Sequence, residues 1–198
     1  MKPYLATREG RYLGLPLGFG FLGASYMLAA FAHVYPTFSV NTLAWVQLLA
    51  RPFAFVFLAF TYYFSKKDSK NTQVIWDVTL SVLIVILTSS SILFFVAPNF
   101  ALGNYWVLSI YTRIFNIVCL VYIIIHTLRS HLEAQDSKII LTPFGYIFIA
   151  IGQYSVLIWS IDGGDVAFYG GLVLRWIGLI LFLLIAYRSF YGNKRSQI

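Results

Sequence analysis

Charged residues are scarce in this chain, and acidic residues are the scarcest of them. Of the 198 residues, 11% are Asp, Glu, Lys or Arg, and only seven are acidic. A soluble domain of this size has a polar surface to form and rarely contains so little charge. The composition therefore excludes an ordinary soluble protein, and the 60% hydrophobic content indicates a protein that lies in a membrane.

Residues that bind metals or catalyse reactions are also few. A single cysteine, Cys119, cannot form an intrachain disulfide. His33 lies near the outer end of the first predicted span, whereas His126 lies near the inner end of the fourth and His131 lies beyond it. Facing helices therefore cannot hold a haem between these histidines. The sequence contains no HExxH or CxxC motif, no paired carboxylates and no nucleophile–base pair. We therefore expect no metal and no cofactor, and an enzyme is the least favoured class.

Long apolar runs are what the chain contains instead. Six of them approach the roughly 20 residues that cross a bilayer as a helix. They lie at about 12–34, 41–64, 74–97, 104–128, 140–161 and 166–191. Because the connections are short, we predict a single all-α integral membrane domain over residues 1–198, with the lipid bilayer as its main partner.

Lysine and arginine are concentrated on one side of the predicted spans. Eleven of the 14 basic residues lie in the two terminal segments and in the second and fourth connections. The other three connections, YPTFSVN, PNFALG and DGGD, contain none. Since basic loops stay in the cytoplasm, we predict a protein of the cell membrane with both termini cytoplasmic. This distribution also accounts for the net charge of +7, so we expect no nucleic-acid partner.

The three remaining basic residues are Arg51, Arg113 and Arg175, and each lies inside an even-numbered span. Successive arginines are 62 residues apart. This spacing predicts three tandem two-helix hairpins, at about 12–64, 74–128 and 140–191. Three such hairpins would allow an arrangement around a pseudo-threefold axis.

Helical periodicity predicts that the three arginines face the protein interior. Residues four before and three after each arginine share its helix face. They are Gln47, Ser109, Gly171, Ala54, Asn116 and Gly178. All are small or polar, whereas the positions two after each arginine are Phe53, Phe115 and Ile177. We therefore expect the arginine face to point inward and the aromatic face to meet lipid, as is usual for charge within a membrane.

Two roles are open for these arginines. In the structural role, each bonds carbonyl groups at a helix end and locks its own hairpin, with Asp162 and Asp165 available as ion-pair partners. In the other role, the arginines form a cationic layer that binds a carboxylate, a phosphate or a carbonyl group. The candidate ligand-binding residues are then Arg51, Arg113, Arg175, Gln47, Asn116, Gln153 and Tyr26.

The leading functional expectation is a non-enzymatic membrane module, either a ligand-sensing unit or an accessory subunit of a larger membrane complex. Short loops and 19% aromatic residues suit a protein that packs against partner helices. The alternative is a small transporter of an organic anion that uses the arginine layer. Asp77, the one acid inside a predicted span, lies near its end, and the hydroxyl run from Thr88 to Ser91 is expected to bond its own backbone.

Overall fold

The computed structural model describes residues 14–34, 40–65, 70–96, 104–134 and 141–191. These residues form six α-helices. Their bounds are α1 Gly14–Val34, α2 Val40–Ser65, α3 Lys70–Val96, α4 Tyr105–Ala134, α5 Leu141–Asp162 and α6 Asp165–Tyr191. A helix satisfies its own backbone hydrogen bonds, so it is the form in which an apolar run can enter lipid. The prediction of an all-α protein with six helices is confirmed.

Five of these helices contain stretches that are long and apolar enough to cross a membrane. They are Trp45–Phe64, Val74–Leu93, Tyr105–Leu132, Leu141–Asp162 and Asp165–Arg188. The apolar stretch described in α1, Leu15–Leu28, is shorter. The five long stretches are compatible with a multi-pass membrane protein, as the sequence predicted.

The chain divides into two compact units, residues 1–112 and residues 113–198. In unit 1, α2 packs against both α1 and α3. A side chain at Gly18 of α1 would lie 2.6 Å from Leu58 Cγ and 3.2 Å from the Ala54 carbonyl oxygen, so the missing side chain permits close approach of α1 and α2. Aromatic pairs extend this core, with Phe21 stacked on Phe57.

Unit 2 is built on the pair α5 and α6, which pack through glycines on both helices. The two helices are joined by the residues DGGD, where Gly163 has φ of 71° and its N–H bonds the Trp159 carbonyl oxygen at 2.9 Å. Glycine adopts this left-handed conformation without the steric cost that a Cβ adds, so it ends α5 and reverses the chain. Farther along the pair, Tyr146 meets Phe182 edge to face.

Helix α4 begins after Asn104, whose side-chain oxygen accepts the Trp106 N–H at 3.0 Å. This is a helix N-cap, in which a side-chain oxygen satisfies a backbone donor of the first turn. A buried stripe follows the helix at spacings of three, four and seven residues. Its members are Ser109, Asn116, Leu120, Ile123 and Thr127. The stripe confirms that one face of α4 lies inside the protein.

The three tandem hairpins are not confirmed. The first and last predicted hairpins correspond to packed pairs, α1 with α2 and α5 with α6. The middle hairpin, α3 with α4, is divided by the boundary between residues 112 and 113. The 62-residue repeat and the pseudo-threefold axis therefore stay predictions, as does the single domain.

Candidate functional site

Arg51 is held against α1 by a hydrogen bond and an aromatic ring. Its Nε donates to Ser25 Oγ at 3.0 Å, and Ser25 is fully buried. Its guanidinium carbon lies 5.3 Å from the centre of the Tyr26 ring. A guanidinium over an aromatic face gains roughly 0.5–2 kcal/mol, more where water is excluded. Arg51 therefore ties α2 to α1 within its own predicted hairpin.

Arg175 is the most deeply buried of the three arginines, with 5% of its surface exposed. Its Nη2 donates to Gln153 Oε1 on α5 at 3.1 Å. The stem of Arg175 passes over Gly152, where an added Cβ would lie 2.7 Å from Arg175 Cγ. Gly152 thus makes room for the arginine, and Gln153 beside it accepts a hydrogen bond from the charged group. Arg175 also ties together the two helices of its own predicted hairpin.

Arg113 differs from the other two arginines in the helix that it binds. Its Nη1 donates to the Val156 carbonyl oxygen at 2.5 Å and to Ser160 Oγ, both on α5. The Ser160 hydroxyl in turn donates to the same carbonyl at 2.7 Å. We expected each arginine to bond the other helix of its own hairpin. For Arg113 this is wrong in the two bonds described here, which reach α5 and not α3. They join α4 to the following helix, because α5 presents a carbonyl and a hydroxyl at the required level.

The helix faces around the arginines agree with the periodicity. Of the six small or polar neighbours, five are buried and Gln47 is half-buried. On the face predicted to meet lipid, Phe115 and Ile177 are exposed and Phe53 is half-buried. The prediction that the arginine faces point inward is thus confirmed for α4 and α6 and largely for α2.

The other candidate residues fall into two groups. Tyr26 and Gln153 lie directly beside an arginine, Arg51 in one case and Arg175 in the other. Asn116 is buried one turn beyond Arg113 on α4. Arg51 belongs to unit 1, and Arg113 and Arg175 belong to unit 2. A single layer formed by all three arginines, and a ligand bound to these residues, stay predictions.

Sequence reasoning missed the partners of two arginines. Ser25 is the one Ser or Thr of α1, and this was the available signal for it. Ser160 shares α5 with Thr142 and Ser155, so the sequence did not distinguish it from them. The Val156 carbonyl carries no signal in the sequence, because every residue has a backbone carbonyl.

The hydroxyl groups of α3 bond their own helix. Thr88 donates to the Ile84 carbonyl oxygen at 2.9 Å, Ser90 to Ile86 at 2.6 Å and Ser91 to Leu87 at 2.8 Å. This agrees with the expected role of membrane hydroxyls.

Asp77 lies two turns into α3 and is exposed. It therefore does not cap the start of that helix.

The arrangement offers groups that can bind a ligand that carries oxygen atoms. Guanidinium and amide groups can hold carboxylate, phosphate or carbonyl oxygens by charge-assisted hydrogen bonds. The hydroxyls of Ser25 and Ser160 already bond arginines.

No protein-family model, curated protein or solved structure matches the chain.

Proposed function

We propose that the chain is a non-enzymatic accessory subunit of a larger membrane complex, located in the cell membrane with both termini in the cytoplasm. The observation that carries this proposal is the set of arginine bonds. Each arginine donates to an oxygen on another helix of its own unit. Intramembrane arginines that hold neighbouring helices give a rigid platform, which is what a subunit needs in order to present a surface to its partners.

The packing around Arg175 supports this role over anion transport. A Cβ at Gly152 would lie 2.8 Å from the Gly171 carbonyl oxygen, and one at Gly171 would lie 3.0 Å from the Gly152 carbonyl oxygen. Transport by alternating access requires helix bundles to move against one another around the site. The backbones of α5 and α6 approach closely at these glycines, and Arg175 of α6 also bonds Gln153 of α5. Both contacts favour a helix pair that does not move apart.

Helix α3 offers the surface for a partner in unit 1. Asp77, Ser81 and Thr88 are exposed, and at 100° per residue they lie within about 40° of one another around the helix. Ser81 and Thr88 donate to carbonyl oxygens of their own helix, whereas lipid offers no hydrogen bond to the carboxylate of Asp77. Acidic side chains within membrane helices usually face other helices for this reason. The partner we propose is a transmembrane helix of another subunit that carries basic or hydroxyl side chains.

Photo-crosslinking in native membranes tests this proposal. A photoreactive residue at Val85, which is 60% exposed beside this polar stripe, should give one discrete product with a second polypeptide. The matched control is Leu87 on the same helix, which is 6% exposed and should give no such product. Products from Val85 that contain only lipid or this chain itself would contradict the accessory-subunit role.

A further inference from the structure

Three polar side chains of unit 2 come to one level of the helices. Arg175 on α6 bonds Gln153 on α5. Gln153 lies one turn before Val156, which accepts the bond from Arg113, and Asn116 lies one turn after Arg113 on α4. In the predicted topology successive spans run in opposite directions, so both of these steps go the same way, by about 4.5 Å along the helix axes. The two arginine bonds and this topology therefore place Asn116, Gln153 and Arg175 at about one depth.

Two amide atoms at this level are buried without a hydrogen-bond partner among the described residues. They are Gln153 Nε2 and Asn116 Oδ1. Gln153 is 1% exposed and Asn116 is 2% exposed, so bulk water does not reach them. The orientation of Gln153 follows from its chemistry, since Arg175 only donates and must face the amide oxygen. The Gln153 N–H₂ group consequently points away from Arg175 and needs an acceptor.

We propose that this level of unit 2 is a binding site for a small carboxylate. One carboxylate oxygen accepts the Gln153 Nε2 hydrogen. The other accepts from the Asn116 amide, which presents Nδ2 after a half-turn about its last side-chain bond. The guanidinium groups of Arg113 and Arg175 flank this stretch of α5, so the local charge favours an anion over a neutral amide or alcohol.

The bonds of Arg113 to Val156 and Ser160 bring α4 to this stretch of α5, so we place the site between Asn116 and Gln153. The contact between α5 and α6 at Gly152 and Gly171 is already filled by close backbone packing. Asn116 belongs to the buried stripe of α4, so its side chain faces the protein and not lipid. Small carboxylates suit the site better than bulky ones, because both amide groups lie well inside the unit. The site would add ligand binding to the proposed subunit role.

Thermal unfolding of the detergent-solubilised wild-type chain tests the site without any partner subunit. The probes are sodium formate and sodium acetate, compared with sodium chloride at the same pH and ionic strength. Ligand binding to the folded state stabilises it by mass action. Each tenfold increase in carboxylate concentration above Kd should raise Tm by about 4 °C.

A parallel titration with sodium octanoate distinguishes the two sources of a carboxylate ligand. A response to octanoate alone assigns the site to membrane fatty acids, and a response to acetate assigns it to free carboxylates.

Two variants localise the effect. Gln153→Glu replaces the N–H₂ donor by a carboxylate oxygen of nearly the same size, so it should raise Tm in chloride and abolish the carboxylate response. Asn116→Leu should remove at least nine-tenths of the affinity. The matched control is Thr127→Val, because Thr127 is buried on the same helix but bonds its own Ile123 carbonyl oxygen. This control should retain the full response.

Two results would overturn the site. The first is an equal Tm in carboxylate and chloride for the wild type. A more stable Asn116→Leu protein would then assign this level to an internal water or an empty polar gap. The second is a carboxylate response that survives in both Gln153→Glu and Asn116→Leu, which would place the anion elsewhere. Neither result bears on the crosslinking of α3, so this proposal and the subunit role fail independently.

Discussion

A guanidinium within an apolar helix must recover the hydrogen bonds that it loses with water, and the three arginines do so with different groups. Arg51 bonds a serine hydroxyl, Arg175 bonds a glutamine amide, and Arg113 bonds a backbone carbonyl together with a serine hydroxyl. The positions 62 and 124 residues after Ser25 are Leu87 and Ile149. The arginine recurs in the sequence, but its partner does not.

The bond between Arg113 and α5 leads to a stability prediction at the residue scale. Arg113→Gln should lower the free energy of unfolding by about 1–2 kcal/mol, since hydrogen bonds to a charged group contribute about 1.5–3 kcal/mol and Gln keeps one donor group. Unfolding in mixed micelles with increasing SDS, followed by circular dichroism, measures this loss. Arg129→Gln on the same helix is the control, because Arg129 is exposed and its replacement should change stability by less than about 0.5 kcal/mol.

An Arg113→Gln protein as stable as the wild type, or more so, would contradict a holding role for this arginine. It would mean that removing one cation relieves repulsion between positive charges. The sign of the change therefore separates the two roles that the sequence left open.

At the scale of elements, glycine decides how closely α5 and α6 approach. Gly152 and Gly145 on α5 are seven residues apart, as are Gly171 and Gly178 on α6. A Cβ on Gly178 would lie 2.8 Å from the Gly145 carbonyl oxygen, and one on Gly171 would lie 2.9 Å from Val156 Cγ2. Membrane helices associate through such close contact, because lipid tails give no hydrophobic drive for helix pairing. The same approach brings Arg175 within reach of Gln153.

Two adjacent glycines of α6 make a matched test of this packing. Gly171→Ala should destabilise the protein by about 1–3 kcal/mol, because the new methyl group meets backbone and Cβ atoms that cannot move aside easily. Gly170→Ala should be neutral or stabilising by up to about 1 kcal/mol, since a Cβ there meets nothing within 4 Å and Ala favours the helix. SDS titration of both variants measures the difference. Equal effects of the two substitutions would refute the close α5–α6 contact.

At the scale of the whole molecule, the apolar helices and the basic loops point to one topology. Five helices contain stretches long enough to span a bilayer. The segments that carry most Lys and Arg, including residues 66–69, lie outside the described residues, as does PNFALG. The topology prediction thus rests on the distribution of charge in the sequence.

Cysteine labelling tests that topology. In a Cys119→Ala background, a cysteine at Ala101 should react with a membrane-impermeant maleimide added to intact cells. A cysteine at Lys67 should react only after the membrane is opened, because its loop is predicted to be cytoplasmic. Permeabilised cells, in which both sites should be labelled, are the control. Labelling of Lys67→Cys but not Ala101→Cys in intact cells would reverse the predicted orientation.

The sequence by itself determined the six helices and the inward face of α4 and α6. Both follow from local physics, because apolar runs form helices in lipid and residues three or four apart share a helix face. It also named Tyr26 and Gln153 as candidate ligand-binding residues, and the structure places each of them beside an arginine. Only the tertiary structure decided that Arg113 bonds α5, and that Ser25 and the Val156 carbonyl are arginine partners. Those pairings depend on the register and proximity of separate helices, which no periodicity within one helix encodes.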